Sequence, residues 1–287
     1  MRPRVVAWLT GWMGDGWAER LVPPPSMFYA IAMVAMLIVF VRRGRSRGDS
    51  ASELAATAFW AMIGGLAGAR VFYWIQHGYV TDLASLRYAI VAGGTASWGA
   101  YLGTALGLVT YQRLKRLPVL PVLDLAASVA GLGIAIGRLS CFFNGDDYGT
   151  LSSLPWSVRF PPGSIPFDAQ VREGILQPTA ALSLGVHPVQ LYLALNGLVL
   201  FGIASIAWRR LRDRPGLTLL LYLMLYSISR FTLELFRGDQ VRYTGFHWSV
   251  PQLMSVATLA LCVVVLVGRS PRLRWLQPEA ASPRRSA

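Results

Sequence analysis

Apolar residues run through this chain in long blocks, and polar residues collect at the joints between them. Blocks of about 20 apolar residues, the length a helix needs to cross the hydrocarbon of a bilayer, fall near 26–41, 55–76, 88–111, 119–143, 187–208, 215–236 and 248–268. The pattern predicts an all-α polytopic membrane protein of seven transmembrane helices in one membrane domain, 26–268. Glycines crowd the third and fourth blocks, among them Gly93, Gly94, Gly99 and Gly103 of GGTASWGAYLG. Such runs suit close helix packing. A lipid glycerol lying against the glycine-lined face, with Gly99 as a contact, is the functional reading of the same run.

The longest joint, 144–186, scatters Pro155, Pro161, Pro162, Pro166 and Pro178 among apolar and aromatic pieces such as WSVRF and PFDAQV. A loop of that length between membrane helices is functional or disordered. Its apolar content favours a small folded head between helices 4 and 5, with short extended pieces pairing as a small sheet. Residues 1–25 run into PPPS at 23–26 and lack a signal-peptide core, so they read as an external N-terminal segment. The tail 269–287 is polar and basic and reads as a disordered cytoplasmic extension. No repeat marks an inverted-repeat transporter.

Composition sharpens this picture. The chain is 54% hydrophobic and 14% charged, with a mean hydropathy of +0.45, which excludes a soluble globular domain. Its net charge of +13 sits in short clusters at the helix ends, where anionic lipid headgroups lie, so nucleic acid is not the expected partner. Arg42, Arg43, Arg45 and Arg47, then Arg113, Lys115 and Arg116, then Arg209, Arg210, Arg212 and Arg214 fall on one side, with the basic tail from Arg269. The other side holds the sparser Arg2, Arg4, Arg20, Arg87, Arg159, Arg172, Arg237 and Arg242. The positive-inside bias therefore predicts the N-terminus outside and the C-terminus in the cytoplasm. Cys141 and Cys262 both lie inside predicted helices and support no disulfide framework. His77, His187 and His247 have no metal-ligand spacing, so no metal and no cofactor are expected.

Charges inside the apolar blocks are the candidate chemistry. An arginine in hydrocarbon is costly unless it meets an anion, and Arg138 and Arg230 end blocks four and six, which face the same side. They either pair internally, Arg138 with Asp146 or Asp147 and Arg230 with Glu234, or converge on a lipid phosphate that two guanidiniums hold bidentately. Tyr226 lies one helical turn from Arg230 on the same face. His187 opens HPVQLY, as a helix-start residue or as a wall of the headgroup pocket. Arg70 either snorkels or serves the site, and Asp124 reads as structural.

Taken in order, MFYAI with Tyr29, GARVFYW, the glycine run around Trp98, GRLSCFFNGDDYG, HPVQLY, YSISRFTLELFRGD and WSVPQL resemble the prolipoprotein diacylglyceryl transferase family over roughly 26–268. The resemblance implies an enzyme of the bacterial cytoplasmic (inner) membrane. Its partners would be phosphatidylglycerol, other membrane lipid, and prolipoprotein signal peptides carrying a lipobox cysteine. The diacylglyceryl group would pass to the cysteine thiol, and glycerol-1-phosphate would leave. Residue by residue, Arg138 and Arg230 match the family's essential arginines, Tyr226, Asn144, Gly149 and Tyr29 match pocket residues, and Asp146 stands where the family has a glutamate. Asp146, Glu234 and His187 are the candidate bases. Three positions depart from the family pattern: Trp98 for a histidine, Cys141 for an asparagine and Leu193 for a glutamate. These departures favour, as the alternative, a divergent relative that binds phospholipid or modifies another acceptor. A lipid or anion transporter would need a polar path to the cytoplasmic side, where only Asp124 lies inside the apolar blocks.

Overall fold

The computed structural model describes residues 25–79, 85, 94, 96–239 and 248–269. Arg2, Arg4, Arg20, Arg87, Gly93, Arg242, His247 and all of the basic tail after Arg269 lie outside the described residues. The helices, in chain order, are α1 Pro25–Arg47, α2 Ala51–Gln76, α3 Ser97–Leu114, α4 Val119–Asn144, α5 Ile165–Arg172, α6 Val189–Arg210, α7 Leu217–Glu234 and α8 Val250–Arg269. Six of them, all but α3 and the short α5, are long and apolar enough to cross a membrane. The chain is thus an all-α, multi-pass membrane protein. Residues 97–114, within and just past the predicted third span, are helical, but with three glycines and with Gln112 and Arg113 near its end the helix does not reach the same apolarity.

The chain divides into two compact units, Leu37–Ala126 and the remainder. In the first, α2 and α3 pack backbone to backbone. A Cβ on Gly68 would lie 2.8 Å from Gly103 Cα, and one on Gly103 would lie 2.9 Å from Gly68 Cα. The glycines are what permit this approach. Gln112 Nε2 donates to Thr57 Oγ1 across the pair at 2.8 Å.

In the second unit, α4 meets α6 where a Cβ on Gly131 would stand 2.5 Å from Gly197 O. Ala127, Leu200, Ala204 and Tyr222 form a buried apolar cluster there, with Leu219, Leu223 and Tyr226 packed around it. Outward faces stay apolar, as Leu195, Leu198, Val199, Leu261 and Val264 show. That is the arrangement expected where the solvent is lipid and the helix satisfies its own backbone. Between α4 and α6 the extended pieces meet only as single antiparallel bridges, Leu151 and Val158 each with Val186, and Gly149 bridges to Arg237 just beyond α7. Among the described residues the expected sheet is therefore reduced to isolated bridges. Prolines and the short helix α5 interrupt the segment before any ladder can extend.

Candidate active site

α4 stops at Asn144, where Gly145 at φ +83° turns the chain and its N–H closes on Cys141 O at 2.8 Å. A left-handed glycine just past the last helical residue is a common helix terminator. Asp147 then also takes a left-handed conformation, φ +54°, uncommon for a residue with a side chain although aspartate tolerates it better than most. The turn carries the Asp147 carboxylate back to Arg138, which donates through Nη1 to Oδ2. The other oxygen, Oδ1, accepts from Arg237 Nη2.

Arg237 is buried and doubly held by Asp239, Nε to Oδ1 at 2.9 Å and Nη2 to Oδ2 at 2.8 Å. Its backbone pairs with Gly149. Close by, Arg230 donates through Nη1 to Glu234 Oε2, one turn on along α7. The remaining Glu234 oxygen accepts from Ser249 Oγ at 2.9 Å. Ser249 opens α8 as half of a capping box, its N–H donating to Gln252 Oε1 at 3.0 Å. Its hydroxyl is thereby committed to Glu234. Arg237 Nε lies 4.0 Å from Glu234 Oε2, so the two groups of ion pairs touch.

The titrations follow this geometry. Burial pushes the Asp147 carboxyl up, but Arg138 and Arg237, with Arg230 behind them, outweigh it and hold Asp147 below the usual carboxylate range. Asp146 moves the other way: burial first, then the negative charge of Asp147, raise it. Asp146 Oδ1 is buried with no hydrogen-bond partner among the described residues, while the Asn144 and Cys141 side chains lie against the same carboxyl group. For Arg237 burial favours the neutral form, and the hydrogen bonds and charges of Asp239 and Asp147 more than reverse it, so its pKa rises.

Most residues singled out from sequence gather in this unit. Tyr29 lays its ring over Gly137, with Oη 3.9 Å from Cys141 Sγ, and that sulfur accepts from Arg138 Nη1 at 4.0 Å. Gln190 of HPVQLY donates to Asp146 O at 2.7 Å and ties the start of α6 to the GDD turn. Gly149 fits where its N–H meets His187 O at 3.2 Å. His187 packs edge-on to Phe236 at 5.2 Å, with Nδ1 3.3 Å from Tyr192 Oη. Trp156 Nε1 donates to that same hydroxyl at 2.7 Å. Tyr226 stacks on Tyr222, rings 6.1 Å apart, on the face below Arg230.

Gly99 and Trp98 belong to the other unit. The face of Gly99 is filled by Gly68 and Phe72, so helix packing explains its size, and Trp98 stands edge-on to Tyr101 at 6.0 Å. Arg70 Nη1 donates to Gly94 O at 2.7 Å, and Asp124 is buried early in α4. Two residues that sequence reasoning leaves out of the site are central to it. Arg237 reads there as one more loop charge, and Asp147 only as one of two possible partners for Arg138. The available signal was the spacing of Arg237, three residues beyond Glu234.

Both arginines singled out from sequence are thus paired with carboxylates. The arrangement differs in access, since the Arg138 side chain is 17% exposed and that of Arg230 7%. Arg138 and Arg237 on Asp147, with Arg230 on Glu234 beside Arg237, form a site suited to a phosphate ester.

Comparison with known proteins agrees with this chemistry. The family model for prolipoprotein diacylglyceryl transferase matches residues 26–268. The phosphatidylglycerol–prolipoprotein diacylglyceryl transferase of Corynebacterium efficiens is 30% identical over 260 residues, 86% of this chain and 79% of its own length. Its counterparts in Rhodospirillum rubrum, 30% identical over 270 residues (91% and 85%), and Xanthomonas euvesicatoria, 30% over 258 residues (85% and 84%), are equally similar. With matches that run through both units and the whole charged site, the chain belongs to the prolipoprotein diacylglyceryl transferase family.

Proposed function

We propose that this chain transfers the diacylglyceryl group of phosphatidylglycerol to the lipobox cysteine of prolipoprotein signal peptides, the first step of lipoprotein maturation. The observation that carries the reading is the ion-pair network at the ends of α4 and α7, in which Asp147 joins Arg138 to Arg237 and Glu234 holds Arg230 beside Arg237. In this reaction the cysteine sulfur attacks the glycerol carbon next to the bridging phosphate oxygen. A C–S bond forms, the C–O bond breaks, and the electron pair leaves on glycerol-1-phosphate. Positive charge placed where that phosphate gains charge lowers the barrier.

Arg138, with its partly exposed guanidinium, is the direct phosphate ligand in this reading. Arg230 and Arg237 act from more buried positions. A thiol with a free pKa near 8.5 needs a base with modest driving force. Of the three candidates, Asp146 suits this best: Glu234 is committed to Arg230 and Ser249, and His187 to the Tyr192 and Phe236 rings. Asp146 has a raised pKa and an oxygen without a partner. Tyr29, Asn144, Gly149, His187 and Tyr226 line the lipid site in this reading.

The proposal places the protein in the cytoplasmic membrane with α3 as a seventh crossing element. The 144–186 head and the site face outward, with the N-terminus outside and the C-terminus in the cytoplasm, as the arginine distribution supports. The test is rescue of bacteria whose own diacylglyceryl transferase is switched off. Growth together with the added diacylglyceryl mass on one lipoprotein is expected from this chain and not from Arg138→Ala. Correct insertion without lipidation by the unmodified chain would overturn the proposal.

A further inference from the structure

Asp147 stands in direct competition with any phosphate that uses Arg138, because its Oδ2 already takes the Arg138 Nη1 donor. The same carboxylate has a second holder in Arg237, which Asp239 and the bridge to Gly149 fix in place. The Asp147 side chain is 25% exposed, against 5% for Arg237. Its contact with Arg138 therefore borders accessible space while its contact with Arg237 lies deeper. The backbone at φ +54° aims one carboxylate at both guanidiniums, and a non-glycine residue in that conformation marks a functional site more often than a random one.

We infer that Asp147 is an exchangeable counter-ion that sets how tightly the site holds its phosphate ligands. The inference rests on the headgroup reading of Arg138 above. An incoming phosphodiester takes Arg138 Nη1 while Asp147 stays on Arg237, and Asp147 returns as the phosphate monoester departs. The leaving product carries more negative charge than the lipid it came from, and three guanidiniums would retain it. An internal carboxylate that reclaims Arg138 weakens lipid and product alike and keeps the product from blocking the site. No covalent chemistry is assigned to Asp147, which acts through Arg138 as a positioning residue.

Asn and Gly tolerate left-handed backbone better than other replacements, so Asp147→Asn and Asp147→Gly remove the charge while keeping the turn. The measurements are equilibrium binding of glycerol-1-phosphate to the full chain in detergent, and KM and kcat for phosphatidylglycerol. In both variants the Kd for glycerol-1-phosphate and the KM are expected to fall together, by roughly tenfold, the worth of one charge-assisted hydrogen bond, while kcat falls as release slows. A purely structural role would loosen Arg138 and raise both constants. A Kd that is unchanged or raised in a variant that unfolds at the wild-type temperature overturns the exchange. Arg138→Ala separates the two levels. If it binds glycerol-1-phosphate like the wild type, the headgroup reading itself fails. If it loses binding while neither Asp147 variant tightens it, only the exchange fails.

Discussion

The Arg230–Glu234 pair permits a test that separates holding the fold from doing chemistry. Both side chains are nearly sealed, at 7% and 1% exposure, in an i,i+4 pair on α7. Glu234→Ala leaves a buried guanidinium without its counter-charge, which costs about 3–5 kcal/mol. It also strips the acceptor from Ser249 Oγ, for about 1 kcal/mol more. At about 2–4 °C per kcal/mol for a chain of this size, thermal unfolding in detergent should drop by about 10 °C or more. Replacing the pair wholesale, Arg230→Met with Glu234→Leu, removes both charges together. Such exchanges are often neutral, so only the Ser249 penalty should remain and the unfolding temperature should return to within a few degrees of wild type. Lipidation should not return, because the charge at position 230 is gone. A double variant as unstable as Glu234→Ala would refute the pairing argument. A stable double variant with full lipidation would show that Arg230 serves the fold alone.

Three further outcomes are expected. In Gly149→Ala the new Cβ would lie 2.6 Å from His187 Cβ and 2.8 Å from Val189 Cγ2, an overpacking of about 1–3 kcal/mol. Unfolding temperature and lipidation should fall together, and an unchanged protein would show that the segment shifts freely. Asp146 has its folded pKa raised, so between the unfolded value near 4 and that raised value the folded state binds more protons, and stability falls as pH rises through the window. Asp147, with its folded pKa lowered, contributes stability that is present above the unfolded value and lost as pH falls through the folded one. Asp146→Asn should therefore unfold at a higher temperature than wild type near neutral pH, with the difference closing toward about pH 4; a difference independent of pH would reject the assignment. Trp98→His should retain or increase lipidation in the rescue assay, and complete loss would assign Trp98 a specific role of its own.

The features legible in sequence are those that stand out against an apolar background. Runs of about 20 apolar residues mark where a helix crosses lipid but not where it ends. α1 continues through the basic VRRGRSR to Arg47, because arginine propagates a helix well and nothing there requires it to be apolar. α3 falls short of the apolarity of the other long helices for the opposite reason: glycines that let it pack on α2 contribute little hydropathy. Arg138 and Arg230 were conspicuous because each interrupts such a run. Arg237 sits just past one and looks like any rim charge; its burial depends on Gly149 and Asp239, one of them distant in sequence. The choice between Asp146 and Asp147 is likewise made by backbone, since the left-handed turns at Gly145 and Asp147 send one carboxylate to Arg138 and leave its neighbour without a charged partner.

Internal pairing and phosphate binding stand as alternatives when the arginines are read along the chain, and the geometry makes them compatible. Unpaired guanidiniums in an apolar bundle end would be unstable before any lipid arrived, so the site needs carboxylates of its own. What distinguishes its two halves is depth. Glu234 is sealed against Arg230 and braced by the first residue before α8, a pairing that a ligand would have to break at several kcal/mol. Asp147 is half a pair with Arg138 and half with Arg237, at a partly exposed position, so releasing one partner leaves the other in place. The same charges that let the bundle fold can therefore yield one donor to a phosphate without leaving Asp147 unpaired.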